Sequence, residues 1–398
     1  MSKGSRIYLD HNATTPLLPQ ARDAMVDALE HVGNASSVHG EGRAARGRIE
    51  SARRALATAT GALARNAIFT SGGTEANVTA LSPAFTIGGV EHRATRAFVS
   101  AVEHACVMAG GRFAPEDITL LPVDGDGIVD LEKLRALVAA EVEAGGLPFV
   151  SVMAANNETG VLQPVAEIGA ILHDVTGGRE AGFVFHVDAV QALGRIPVDI
   201  AAWGCDMLTV SSHKIGGPQG VGALVFAREA FRVPPLVTGG GQEMRKRAGT
   251  ENTAGIAGFG AALQALVENG EKYRNLAELR DWLEESLTHI SGNTVIFGRD
   301  AARLANTISF AVPGMVAETA LIACDLAGAA LSSGSACSSG KVTSSHVLDA
   351  MGVSPDLARG ALRVSLGWTT TREDVERFAD LWQGIVHRMK PASSGQAA

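Results

Sequence analysis

Cysteine is scarce in this sequence, and what there is does not cluster. The 398 residues hold four cysteines, Cys106, Cys205, Cys324 and Cys337. They form no CxxC pair and no metal-ligand spacing, so neither a disulfide framework nor a zinc site is expected. Long apolar runs are missing too. None reaches the length of a bilayer span, so no membrane association is expected. The N-terminal MSKGSRIYLDHNATTP lacks an apolar signal core, which makes the cytoplasm the expected location. Positive charge does not predominate. A net charge of -8 argues against a nucleic-acid partner. The five arginines between Arg43 and Arg54 read as a solvated helix face, because no aromatics interleave with them. No internal repeat is found.

Glycine, by contrast, is abundant at 46 residues, as suits many tight strand-to-helix turns. Hydrophobic content of 46% and charged content of 19% describe a globular chain. Its length allows two domains and a large core. An extended arm over residues 6–20 leads into a helix near 21–31. Ser36 or Ser37 is a candidate cap for the Ala-rich helix that follows and ends before Gly61. Apolar runs at Ala97–Val102, Phe149–Met153, Phe183–Val187, Met207–Val210 and Gly222–Phe226 read as strands. Helix-periodic segments such as Leu131–Glu143 and Val165–Asp174 lie between them. This alternation predicts an α/β fold, a mostly parallel sheet covered by helices. After about residue 260 the pattern changes. A long helix is expected over Ala262–Ser286, then a strand near 305–312 and a helix over Val316–Leu326. The Gly/Ser-rich LSSGSACSSGKVTSS follows, then a short helix, the strand ALRVSLG, and a last helix with Thr370 and Glu373 as capping box. The expected organisation is a large domain over 16–260 and a smaller α+β domain from 1–15 and 261–390, with 391–398 as a disordered tail.

The stretch Phe185–Phe226 concentrates the chemistry. Asp188 ends an apolar strand, where open α/β sheets place ligand contacts. Lys214 sits in the polar, Gly-rich turn SSHKIGGPQG. A lysine Schiff base with an acid facing a pyridinium nitrogen is how proteins hold pyridoxal phosphate. Upstream, in IFTSGGTEAN, a strand meets a Gly-Gly turn and a helix that starts at Thr74. Free N–H groups and the helix dipole make such a turn a phosphate site. Taken singly, each feature also has a plain reading. Asp188 and Lys214 pass for an ordinary strand end and a surface lysine. His104 passes for a core histidine, Asn157 for a turn residue, Arg363 for a surface ion pair and Thr250 for a helix start. Cys106, Cys205 and Cys324 lie in apolar settings and read as buried packing residues. Cys337 differs, since a Gly/Ser-rich segment cannot pack a core and leaves a thiol accessible.

Together, YLDHNATTP, TSGGTEAN, VEHACV, NNETGVLQP, HVDAVQ…SSHKIGGPQG, GTEN, SSGSAC and LRVSLG resemble, in order and spacing, the cysteine desulfurases of the NifS/IscS-like branch of the class V aminotransferases. The resemblance runs over about residues 6–390. It implies a fold-type-I pyridoxal-phosphate homodimer that takes sulfur from L-cysteine, leaving L-alanine and a persulfide. It implies Lys214 as the Schiff-base lysine, Asp188 as partner of the pyridine nitrogen and Gln191 as ligand of the ring hydroxyl, with Asn157 near that hydroxyl and the substrate. Asn156 is the less favoured of the two asparagines. His104 is implied as the imidazole stacked on the ring and a proton-transfer helper. Gly73, Thr74, Ser211 and His213 are implied as phosphate ligands, and Thr250 as a phosphate ligand given to the other subunit. Arg363 is implied as the carboxylate clamp and Cys337 as the nucleophile. An iron–sulfur scaffold is the implied kind of acceptor. Ala35 stands where the family commonly has proline, and the segment after the last helix is shorter than in scaffold-docking relatives. Selenocysteine lyase, or another class V transferase, is the alternative that shares this pattern, and a non-catalytic subunit is a third.

Overall fold

A computed structural model describes residues 6–178, 181–274, 276–334 and 345–389. Its centre is a seven-stranded sheet. In chain order the strands are β1 (Ala67–Thr70), β2 (Arg96–Ser100), β3 (Ile118–Leu121), β4 (Pro148–Met153), β5 (Val184–Asp188), β6 (Met207–Ser211) and β7 (Gly222–Phe226). Their spatial order is β1-β7-β6-β5-β4-β2-β3. Among the described residues, the only antiparallel pairings in this sheet involve β7. Strands β4 to β7 are buried at every position, so they read as unbroken apolar runs rather than alternating ones. One face packs on the helices Gly40–Thr60, Leu131–Glu143 and Val165–Thr176, the other against Ala76, Phe85, Val107 and Phe231.

Parallel strands share one carboxyl edge. The turns after β1, β2, β4, β5 and β6 therefore open on the same side, where such sheets bind ligands. The residues after those strands include Gly73, His104 and Asn157, while Asp188 and Ser211 are the last residues of β5 and β6.

A second, antiparallel sheet is built from Val295–Ile296, Thr307–Ala311, Leu362–Ser365 and Ser332–Ser333. Its core gathers Phe310, Phe378 and Trp382. The N-terminal strand Ile7–Tyr8 pairs with Ala329–Ala330, and Asp10 bridges to Ser365. That arm carries Asp10, His11 and Asn12 along the seam between the two sheets.

Several local expectations are corrected. The Ala-rich helix starts at Gly40 with His39 as cap: its Nδ1 accepts from the Gly42 N–H at 3.3 Å. Ser36 and Ser37 instead belong to a turn organised by Asn34, whose side chain accepts from Ser36 N and whose carbonyl accepts from Ser37 N. Gly61 does end this helix, at φ 67. Its arginines are not all solvated. Arg53 is buried and donates to Glu243 through both Nη atoms, at 2.7 and 2.8 Å. The expected single helix over 262–286 is two, Thr253–Arg274 and Ala277–Ile290. The packing partner changes between them: Ile256 to Leu266 join the large core, and Leu276, Leu283 and Leu287 join the small one. The last capping box is Thr371 with Asp374, each side chain accepting from the other's backbone N–H.

Candidate active site

At the carboxyl edge lies a cavity of about 530 Å³. Gly73, Thr74, His104, Asn157, Asp188, Gln191, Ser211, His213, Lys214 and Arg363 all line it. Residues far apart in sequence meet there because all but Arg363 follow or end a strand of the large sheet, and Arg363 lies within a strand of the small one.

Asp188 is buried at the end of β5. Its Oδ1 accepts from Val190 N at 2.9 Å and its Oδ2 from Asn77 Nδ2 at 2.7 Å. No lysine or arginine among the described residues pairs with it. Burial raises its pKa, against the pull of these hydrogen bonds, of His104 and of Lys214. A buried carboxylate of this kind is suited to a cationic ligand group.

Lys214 follows β6 in a short 3-10 turn. Its Nζ donates to the carbonyls of Asn12 at 2.5 Å and Ala13 at 2.8 Å. Burial lowers its pKa to about 7, helped by Arg195 and Arg363. The amine is thus available uncharged near neutral pH, as imine formation requires. His213 meets Thr14 Oγ1 at 3.2 Å and its pKa is lowered to about 4, by burial first, then by Lys214 and Arg195.

The Gly-Gly turn leads into the helix Gly73–Ala80. A Cβ on Gly73 would come within 3.1 Å of Val190 Cγ2 and 3.5 Å of Ser211 Cβ. Glycine leaves that space open beside the first N–H groups of the helix. Cradle, lysine and buried acid match the three ends of pyridoxal phosphate: phosphate, aldehyde and ring nitrogen. The donor set fits that cofactor.

Arg363 donates from Nη2 to Asp10 Oδ1 at 2.8 Å and from Nη1 to the Asn157 carbonyl at 2.9 Å. It is buried, not a surface pair, and its Nε is a buried N–H with no partner among the described residues. Gln191 donates to the Asn12 carbonyl at 3.0 Å and accepts from half-buried Arg195, whose pKa is lowered to about 9 by loss of solvent around it first and then by Arg363. Asn156 is a turn-former: its Oδ1 accepts from Glu158 N and Thr159 N. Asn157 is the one that faces the cavity.

Thr250 lies elsewhere, in a cleft of about 200 Å³ with Thr70, Ser71 and Gly249. Cys337 lies outside the described residues. The chain is described up to Gly334, which lines the cavity, and again from Ser345, whose hydroxyl donates to buried Glu158 at 2.5 Å. Burial raises the Glu158 pKa to about 7.

Cys205 and Cys324 are buried, as expected. Cys106 is only half-buried: it packs against the core beside Val107 and also lines the cavity. Asn12 and Asn77 line it as well, and neither stood out from the sequence. Both fall inside the motifs quoted above. What singles them out is tertiary, since Asn77 meets Asp188 and Asn12 meets Thr307 and Asn157.

The class V aminotransferase family matches residues 7–378. The cysteine desulfurase IscS of Dictyoglomus turgidum is 39% identical over 393 residues, which is 97% of this chain and 96% of that protein. The X-ray structure of a NifS-like protein from Rickettsia africae superposes with a TM-score of 0.82 at 37% identity, over 96% of this chain and 99% of that one. SspA in complex with cysteine superposes with a TM-score of 0.69 at 27% identity, over 92% of this chain and 100% of that one. A pyridoxal-phosphate cradle, a fold-type-I scaffold and similarity along nearly the whole length agree, and the chain belongs to the class V aminotransferase family, among the cysteine desulfurases of the IscS and NifS type.

Proposed function

We propose that this protein removes sulfur from L-cysteine, releases L-alanine and holds the sulfur as a persulfide on Cys337. The observation that carries the reading is the meeting of Asp188, Lys214 and Arg363 around one cavity. Asp188 would hold the ring nitrogen of pyridoxal phosphate, Lys214 its aldehyde carbon, and Gly73, Thr74, Ser211 and His213 its phosphate. His104 would lie against the ring, with Gln191 and Asn157 at the ring hydroxyl. Bound there, the cofactor withdraws electrons from the carbon that bears the substrate amine.

The residues divide the remaining work. Arg363, already oriented by Asp10 and Asn157, binds the substrate carboxylate. Lys214, with a pKa near 7, takes a proton from that carbon at Nζ and returns one later. His104 assists proton transfer. The Cys337 thiolate bonds to the substrate sulfur as the carbon–sulfur bond breaks, and its electron pair stays with carbon until protonation gives alanine.

The same proposal covers the assembly. The protein acts as a homodimer in which Thr250 of each chain reaches the other's phosphate, works in the cytoplasm, and passes sulfur to an acceptor such as an iron–sulfur scaffold. The large part over 16–260 binds cofactor, and the smaller part, 1–15 with 261–390, supplies Arg363 and Cys337. The test is to give purified protein L-cysteine and a reductant. Sulfide and alanine in equal amounts are expected, and cysteine consumed without alanine would sink the reading.

A further inference from the structure

We propose that Cys106 is a positioning residue for His104: its thiol and its backbone N–H both donate to His104 Nδ1, so the imidazole presents Nε2–H to the cavity. The proposal rests on the function given above for its catalytic meaning, but not for its geometry.

His104 caps the short helix Ala105–Met108, and its Nδ1 accepts from the Cys106 N–H at 3.2 Å. A nitrogen that accepts cannot also carry the proton, so the neutral ring is the Nε2–H tautomer. Cys106 Sγ lies 3.0 Å from the same Nδ1. Burial, first of several causes, pushes the Cys106 pKa up to about 11, so the sulfur keeps its hydrogen and can donate it.

The thiol is itself held. Asn77 Nδ2 donates to Cys106 Sγ at 3.3 Å and to Asp188 Oδ2 at 2.7 Å, which uses both hydrogens of one amide. The reverse orientation of that amide would set its oxygen against the Asp188 carboxylate. One chain of hydrogen bonds therefore runs from Asp188 through Asn77 and Cys106 to His104. The acid assigned to the ring nitrogen and the imidazole assigned to the ring face are joined through two residues that carry no charge.

Two donors on Nδ1 favour the neutral imidazole, because the protonated ring would set a hydrogen against both. Loss of the thiol donor should raise the His104 pKa. The charged and titratable groups around it are Asp188, which favours the protonated ring, Lys214 and His346, which oppose it, and Glu103, the preceding residue. Burial lowers the His104 pKa more than any of them.

The test uses the full-length holoenzyme labelled with ¹⁵N-histidine, with His104→Gln to identify the signal. Wild type should show His104 as the Nε2–H tautomer at neutral pH, and an Nδ1–H tautomer would overturn the proposal without any variant. Cys106→Ala and Cys106→Val should each raise the titration midpoint by about half a unit to one unit, the worth of one hydrogen bond. Both should lower kcat/KM for cysteine about three- to tenfold through kcat. Cys106→Ser, which keeps a donor, should restore both. An unchanged midpoint in the apolar variants, or a Ser variant as impaired as they are, would overturn it. Alanine release by wild type is scored separately, so failure of the desulfurase reading would show without touching the tautomer result.

Discussion

Arg363 and Asp10 form an ion pair at the second sheet, where the N-terminal arm bridges to Ser365, with Nη2 and Oδ1 2.8 Å apart. Arg363 comes from the strand Leu362–Ser365 and Asp10 from the N-terminal arm, and the second Nη is fixed on the Asn157 carbonyl. The guanidinium is thus oriented before substrate arrives.

If Arg363 binds the substrate carboxylate, Arg363→Ala should raise KM for cysteine roughly ten- to a hundredfold, the worth of charge-assisted hydrogen bonds. Asp10→Ala should lower kcat/KM about tenfold by freeing the guanidinium to wander. Initial rates of alanine release measure both. An unchanged KM in Arg363→Ala would remove the arginine from the carboxylate.

Lys214 carries a pH signature. Its lowered pKa of about 7 means that the amine is charged below that value and neutral above it. Uptake of pyridoxal phosphate by protein freed of cofactor should therefore speed up as pH rises through about 7 and level off beyond it. Lys214→Ala should abolish the adduct fixed by borohydride. Cofactor trapped on another lysine, found by peptide mapping, would refute the assignment.

Glu243 begins three successive residues with positive φ, Glu243, Met244 and Arg245, at 46°, 56° and 66°. A left-handed turn costs about 1–2 kcal/mol per residue. Arg53 and the Phe69 N–H hold the Glu243 carboxylate in place, at 2.7 and 2.8 Å. Glu243→Gln leaves buried Arg53 with only the half-exposed Glu50, 3.2 Å from its Nε, which should cost about 2–3 kcal/mol. Thermal unfolding should show a drop in Tm of several degrees, and an unaltered Tm would mean that the pair does not hold this turn.

Thr250 follows that turn and is assigned to the other subunit's phosphate. A Lys214→Ala chain mixed with a Thr250→Ala chain should form a heterodimer with one site that has both residues intact. Activity should return on mixing. No recovery, with subunit exchange verified by mass spectrometry, would count against a contact in trans.

Cys337 separates desulfuration from the other reactions of the family. Cys337→Ala should bind cofactor and cysteine normally but release no alanine, because nothing takes the sulfur. A mass gain of one sulfur on the Cys337 peptide, after brief exposure to cysteine without reductant, should appear in wild type. Alanine formed at the wild-type rate by Cys337→Ala would end the assignment. Among the other cysteines, Cys205→Ala and Cys324→Ala should leave the chemistry largely intact.

Much of the fold was legible because buried parallel strands leave an uninterrupted apolar signature. Phe149–Met153 and Met207–Val210 were read as strands and lie within β4 and β6. Caps were harder. His39 is a weak cap by type, and only the turn at Asn34 explains why Ser36 and Ser37 were passed over. The break between Arg274 and Ala277 has no proline to announce it, since its cause is a change of core. Arg53 looked like its exposed neighbours because its partner Glu243 is 190 positions away.

The sequence by itself determined the sheet, the strand-end acid, the lysine turn and the phosphate turn, because each is encoded within a few neighbouring residues. Only the tertiary structure decided how these groups behave. It set Asn77 between Asp188 and Cys106, Asp10 against Arg363, and the Lys214 amine on two carbonyls of the N-terminal arm. Hydrogen-bond partners and burial are fixed by which strand ends converge in space, and no local pattern records that convergence.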